Sequence, residues 1–172
     1  MKAILSAGMA FCCRQSMGIT MRYRLYQSAD FAALYAVEEH CFAPPYRFSR
    51  AYIRQLVRNA NCATWIAEKD GELTGFAIVE WEQGAEENSA YIQTIEVTPS
   101  QRGQGIGGEL LRRVEGSAAA AGAGKIWLHV DAENAAAIRL YEGRGYERQG
   151  REEHYYARHR AALVYGKRLV AS

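Results

Sequence analysis

The sequence predicts a single α/β domain of the α+β kind, and three observations lead there. Strand-like and helix-like stretches alternate along the chain, with no repeat or low-complexity linker between them. Asp70-Gly71 sits between two apolar runs, a strong signal for a tight hairpin. A glycine-rich stretch at residues 101–108 opens a helix with a clear apolar stripe.

Each element follows from its own residues. Residues 23–26 (YRLY) alternate as a short strand would. Ser28 offers an N-cap for a helix in which Phe31, Leu34, Tyr35 and Phe42 recur at helical spacing. Pro44-Pro45 ends that helix, because the residue before a proline avoids helical geometry. Ser49 caps a second helix, with Tyr52, Ile53, Leu56 and Val57 on one face. Two strands, 63–68 and 73–81, flank the hairpin residues Lys69-Asp70-Gly71-Glu72. A polar loop at 84–89 leads to a strand at 90–97, stopped by Thr98-Pro99-Ser100. The helix after the glycines carries Ile106, Leu110, Leu111, Val114 and Ala118, and ends at Gly122 and Gly124. A strand at 125–130 and a helix at 135–141, closed at Gly143 or Gly145, come next. Strands around Tyr155-Tyr156 and at 162–165 finish an order of β-α-α-β-β-β-α-β-α-β-β.

Composition narrows the function classes. With 172 residues the chain is long enough for one domain with its own core. A net charge of +2 creates no strong field toward nucleic acid or membrane surfaces, and no apolar run is long enough for a span. Cys12, Cys13, Cys41 and Cys62 form no CxxC pair, so neither a metal site nor a disulfide framework is expected. They read as free thiols in a reducing cytoplasm, with Cys41 and Cys62 buried. Residues 1–20 read as a poorly ordered extension before a domain at 21–172, with Met17 or Met21 as alternative starts.

The glycine turn is the strongest chemical signal. Glycines ahead of a helix let a ligand approach the backbone, and the first helical amides have no internal partners. With the helix dipole they make a phosphate cradle, beside which Arg102 can add a formal charge. A P-loop is excluded, because Gly107-Gly108-Glu109 follows instead of Lys and Ser or Thr. Gly103, Gly105 and Gly108 satisfy the dinucleotide pattern GxGxxG, and Asp131 lies 23 residues after Gly108. That fingerprint should start immediately after its strand, whereas Thr98-Pro99-Ser100-Gln101-Arg102 intervenes here.

Ile95-Glu96-Val97-Thr98-Pro99 followed by QRGQGIG resembles the acetyl-CoA motif of the GNAT superfamily of acetyltransferases. Asn134, residues 135–137, Leu140-Tyr141 and Gly145-Tyr146 resemble its second motif. The resemblance implies one GNAT domain, with a mixed sheet of about seven strands, about four helices, and parallel strands 4 and 5 splayed apart. It implies acetyl-CoA as cosubstrate and no metal. Ile95, Glu96 and Val97 would meet the pantetheine arm, and Arg102, Gly103, Gln104, Gly105, Ile106, Gly107 and Gly108 the pyrophosphate. Asn134 would position the cofactor, and Tyr141 would stand near the sulfur as the acid that protonates the leaving thiolate.

Within that superfamily the chain looks like the RimI-like and NatE-type protein N-terminal acetyltransferases. Trp127-Leu128-His129-Val130 is similar to the Leu-His-Val strand of the NatE-type subunit, and Tyr91-Ile92-Gln93-Thr94 to its Tyr-Ile-x-Thr strand. The RimI-like group often carries Glu at the position of His129. The likeness implies Tyr91 and His129 as an acid/base pair working through water. Phe42, Pro44, Pro45 and Tyr46 would grip the first substrate residue, and Tyr155 and Tyr156 would close the groove. Glu96 is an alternative base, although strict alternation turns it away from Tyr91 unless a bulge intervenes. An α-amine of pKa about 7.7–8.0 suits a histidine base better than a lysine of about 10.4 does. The expected substrate is therefore a peptide N-terminus, with a small amine or a lysine side chain as the alternative. No nucleic-acid or membrane partner is implied, and the chain is expected to be a monomer or weak homodimer. A CoA-sensing domain without catalysis is the non-enzymatic alternative.

Overall fold

A computed structural model describes residues 20–44, 46–84, 87–157 and 159–169. The expected extension before Thr20, with Cys12 and Cys13, lies outside the described residues, as does Pro45.

The chain runs β1 (Met21–Leu25), α1 (Phe31–Cys41), α2 (Arg50–Arg58), β2 (Cys62–Lys69), β3 (Glu72–Glu82) and β4 (Ser89–Val97). It continues with α3 (Ile106–Ala120), β5 (Lys125–Asp131), α4 (Ala135–Glu142), β6 (Glu147–Ala157) and β7 (Arg160–Arg168). The seven strands make one sheet in the order β1-β2-β3-β4-β5-β7-β6. Neighbours are antiparallel except β4 and β5, which are parallel. This is the element order that the sequence periodicity predicts.

Helices cover both faces of the sheet. On one side Leu34, Tyr35 and Val37 of α1 and Ile53 and Leu56 of α2 pack on Ile66, Phe76 and Ile78. On the other, Ile106, Leu110, Leu111 and Val114 of α3 pack on Ala77, Val79, Ile126 and Leu128. β3 therefore buries both of its faces, and its central run from Thr74 to Val79 has no exposed position.

Local signals explain the boundaries. Asp70 and Gly71 take φ of 53° and 87°, the left-handed pair that a two-residue hairpin needs. Ser49 caps α2 by accepting from the Tyr52 amide, as its sequence position predicts. Ser28 does not cap α1. It opens a 3₁₀ turn over Ser28–Asp30, and the Asp30 carboxylate accepts the Gln27 amide at 2.7 Å. Phe42 lies just past the end of α1 rather than on its face. Cys41 and Cys62 are half-buried, not buried, because both sit at element ends beside cavities. Burial still pushes their thiols up, to about 11 and about 12 respectively. Among the described residues no helix is long and apolar enough to cross a membrane.

Candidate active site

The parallel pair that carries the site is incomplete. β4 and β5 are in register only at Ser89↔Lys125, Ala90↔Ile126 and Tyr91↔Trp127, and beyond Tyr91 they diverge. Two cavities open along the split. One, of about 520 Å³, is lined by Ile95, Glu96, Val97, Arg102, Gly103, Gly105, Ile106, Gly107 and Gly108. The other, of about 380 Å³, is lined by Tyr46, Tyr91, His129, Tyr155 and Tyr156 among others. Phe42, Ile95, Asn134, Ala137 and Tyr141 line both, so the cavities share a wall.

The glycine turn fits a phosphorylated ligand. Gly103 and Gly105 take φ of 76° and 79°, and open space lies where a β-carbon would stand at either. Gly105 occupies the N-cap of α3, with no side chain bonded to the first amides. α2 and α4 differ: Ser49 and Asn134 accept amides there at 3.1 Å each. The longest helix thus presents uncapped amides to the larger cavity, in the arrangement that binds anions.

Not every motif residue faces this space. Gln104 does not line the cavity; its side-chain oxygen accepts from Lys69 Nζ at 3.1 Å. Lys69 also donates to Gln101 Oε1 at 2.8 Å, so an ammonium from the β2–β3 hairpin clips the two ends of the turn. The motif contains no trace of Lys69, which arrives through a strand 32 residues upstream. Arg102 lines the cavity, but its Nε donates to the Val97 carbonyl at 3.0 Å, which uses part of its guanidinium on the end of β4. Asn134 spends its side-chain oxygen on the α4 cap.

Aromatic residues wall the smaller cavity. Tyr91 Oη lies 3.0 Å from His129 Nδ1. Trp127 packs on Tyr91 with centroids 4.5 Å apart, and Tyr155 stacks on the imidazole at 4.2 Å and 12°. His154, at φ of 60°, sits just before Tyr155 in the stretch where the β6–β7 register shifts between Glu152 and Ala157. Burial and the neighbouring Tyr155 hydroxyl push the Tyr91 phenol well above the usual tyrosine range. Tyr141 is buried and its phenol is raised by burial alone, so it stays a proton donor at neutral pH. Pro44 is exposed and lines neither cavity, whereas Phe42 is 40% exposed at the rim of both.

Glu96 shares a face with Tyr91, because a bulge intervenes. Ile78 pairs with Thr94 while Val79 pairs with Ile92, so Gln93 is the extra residue and alternation reverses. The carboxyl is thereby turned under α1 against Glu38, and both residues are buried. Glu96 Oε1 accepts from Thr94 at 2.8 Å, and Glu38 Oε1 accepts the Phe48 amide at 2.7 Å. The remaining oxygen of each acid has no hydrogen-bond partner among the described residues. Desolvation and the nearby Glu38 raise Glu96 well above the carboxylate range, which favours its protonated form.

Comparisons with known proteins agree with this geometry. Residues 24–146 match the model of the "Acetyltransferase (GNAT) family". Streptothricin acetyltransferase of Streptomyces lavendulae is 40% identical over 89 residues, which are 51% of this chain and 46% of that enzyme. The chain therefore matches about half the length of that curated relative. The ribosomal-protein-S18-alanine N-acetyltransferase of Escherichia coli superposes with a TM-score of 0.77 at 22% identity, covering 89% of this chain and 96% of that one. Arabidopsis thaliana NAA60, solved with a bisubstrate analogue, gives 0.77 at 23% identity over 89% and 100% of the two chains. Splayed parallel strands, an uncapped glycine-rich helix start and a family match across most of the domain converge: the chain belongs to the acetyltransferase (GNAT) family.

Proposed function

We propose that the protein transfers an acetyl group from acetyl-CoA to the α-amine of a peptide N-terminus. The observation that carries the reading is the Tyr91–His129 pair, 3.0 Å apart in an aromatic cavity that shares a wall with the glycine-turn cavity. Acetyl-CoA would supply the activated acyl group as a thioester. The amides of residues 103–108 would hold its pyrophosphate, with Lys69 keeping the turn closed.

Tyr91 would take the proton of the attacking amine, directly or through water, while passing its own proton to His129 Nδ1. The raised phenol makes a free Tyr91 anion costly, so the two transfers are coupled. The new N–C bond forms as the C–S bond breaks, and Tyr141 protonates the thiolate. One proton is lost by the amine and one gained by the sulfur; exchange with solvent then resets His129 and Tyr141. Glu96 is not given the base role, because its carboxyl is engaged with Glu38 and Thr94. Phe42 and Tyr46 would contact the first residue of the peptide, and Tyr155 and Tyr156 would cover it.

A second reading is acetylation of a small-molecule amine, favoured by the 40% identity to streptothricin acetyltransferase over 89 residues. Turnover of acetyl-CoA on a panel of short peptides, set against polyamines and aminoglycosides, separates the two. Reaction with peptides supports the first; reaction with the small amines alone overturns it.

A further inference from the structure

We propose that Glu152 is the third member of the relay, a positioning residue whose carboxylate keeps the His129 proton on Nε2. This rests on the Tyr91–His129 relay of the preceding reading. The His129 side chain is 8% exposed, and its Nε2 is buried without an in-line hydrogen bond. Glu152 Oε1 lies 3.1 Å from that atom, and the Glu152 side chain as a whole is 53% exposed.

The other carboxylates around this face already have partners. Asp131 pairs with Arg160, Glu153 pairs with Arg151, and Glu80 accepts from Asn59 and Gln93. Among the described residues His129 is the one ion-pair partner of Glu152. The register explains the reach. Glu152 of β6 faces Ala162 of β7, which faces Asp131 of β5, and Gly150 holds the equivalent place in line with Val164 and His129. Small residues at 150 and 162 leave room for a glutamate to cross β7 toward the imidazole.

The chemistry follows from what each group can donate. A carboxylate only accepts, so the nitrogen facing it carries the proton of the neutral ring. Nδ1 is then the lone-pair nitrogen, and Tyr91 donates to it. Without an anion at Nε2 the ring can hold its proton on Nδ1 and accept nothing from Tyr91. Stacking by Tyr155 and the edge of Trp127 fixes the plane of the ring but leaves this choice open. When Nδ1 takes the Tyr91 proton, the imidazolium lies against a carboxylate, and the solvent-exposed side of Glu152 gives the proton an exit. The logic is that of the buried aspartate behind the histidine of a serine protease.

The test is a two-bond ¹H–¹⁵N correlation spectrum of His129 in the full chain, compared with Glu152→Ala and Glu152→Gln, alongside steady-state kinetics. The expected spectrum shows the Nε2–H tautomer in the wild type and a loss of that preference in Glu152→Ala. kcat should fall about tenfold in Glu152→Ala, with the KM for acetyl-CoA unchanged, and Glu152→Gln should lie between. An unchanged tautomer or an unchanged kcat in Glu152→Ala overturns the assignment. A wild-type protein inert toward every amine overturns the relay itself, whereas the spectrum still decides whether Glu152 governs the ring.

Discussion

Glu38 of α1 and Glu96 of β4 meet as two buried acids, each with one oxygen bonded to a neutral donor and one without a hydrogen-bond partner among the described residues. Glu38 also takes the Phe48 amide, so the acid that meets β4 holds the loop between α1 and α2 as well.

This pair makes stability depend on pH in a defined direction. The folded pKa of Glu96 is raised above its ordinary 4.5, so the folded state holds more protons than the unfolded chain above that pH. Stability is therefore greatest below about pH 4.5 as far as this group is concerned, and its contribution is lost as pH rises through the raised value. The groups facing Glu96 are Glu38 and Cys41 of α1 and Thr94 of β4. Glu38→Gln removes the opposing acid, and melting curves from pH 5 to 8 should show a shallower decline than the wild type. Glu38→Ala should instead cost about 1–3 kcal/mol, because the Phe48 amide loses its acceptor. Equal slopes in the wild type and Glu38→Gln would contradict the part given to Glu38 in raising Glu96.

Gly105→Ala tests the turn. A non-glycine residue at φ of 79° costs roughly 1–2 kcal/mol, which in a domain of this size lowers Tm by about 2–8 °C. Its methyl group would project into the open space before α3, where the cosubstrate is proposed to lie. Calorimetric titration should show acetyl-CoA affinity falling at least about tenfold, a loss of about 1.4 kcal/mol in binding.

Lys69→Met removes the clip on Gln101 and Gln104 at a residue that does not itself line the cavity. Loss of about 1 kcal/mol of hydrogen bonding should raise the KM for acetyl-CoA roughly fivefold. kcat should stay near the wild-type value. A fall in kcat with constant KM would place Lys69 elsewhere in the account.

Tyr91→Phe and His129→Ala should each reduce kcat by about 10²-fold or more, the usual worth of a positioned acid or base. Since the two are proposed to act as one relay, the double variant should be scarcely slower than the worse single variant. Multiplied losses in the double variant would mean independent roles.

Tyr141→Phe should lower kcat by a similar factor and leave the KM for acetyl-CoA nearly unchanged, since the phenol is proposed to act only as the sulfur departs. The defect should shrink with thioesters whose thiol leaves more easily. A defect that is constant across thioesters would assign Tyr141 to packing.

Much of this was legible in the sequence because the signals are local. Asp70-Gly71 and Ser49 act within three or four residues, and both do what their positions predict, whereas the cap that Asn134 makes on α4 was not read from the sequence. The Ser28 cap fails because the helical turn opens one residue earlier, with Gln27 at its start and Asp30 accepting the Gln27 amide. The bulge at Gln93 leaves no mark in the pattern of β4, yet it decides which way Glu96 points. Lys69, Glu38 and Glu152 escaped notice for a common reason. Each reaches its partner across strands or layers, and that distance is set by register rather than by spacing along the chain.

The most direct measurement is a crystal structure of the protein with acetyl-CoA. The pyrophosphate should lie on the amide groups of residues 103–108, with the thioester in the gap where β4 and β5 part and its sulfur beside Tyr141. Density for the cosubstrate anywhere else, with those amides facing solvent, would contradict the account at its root.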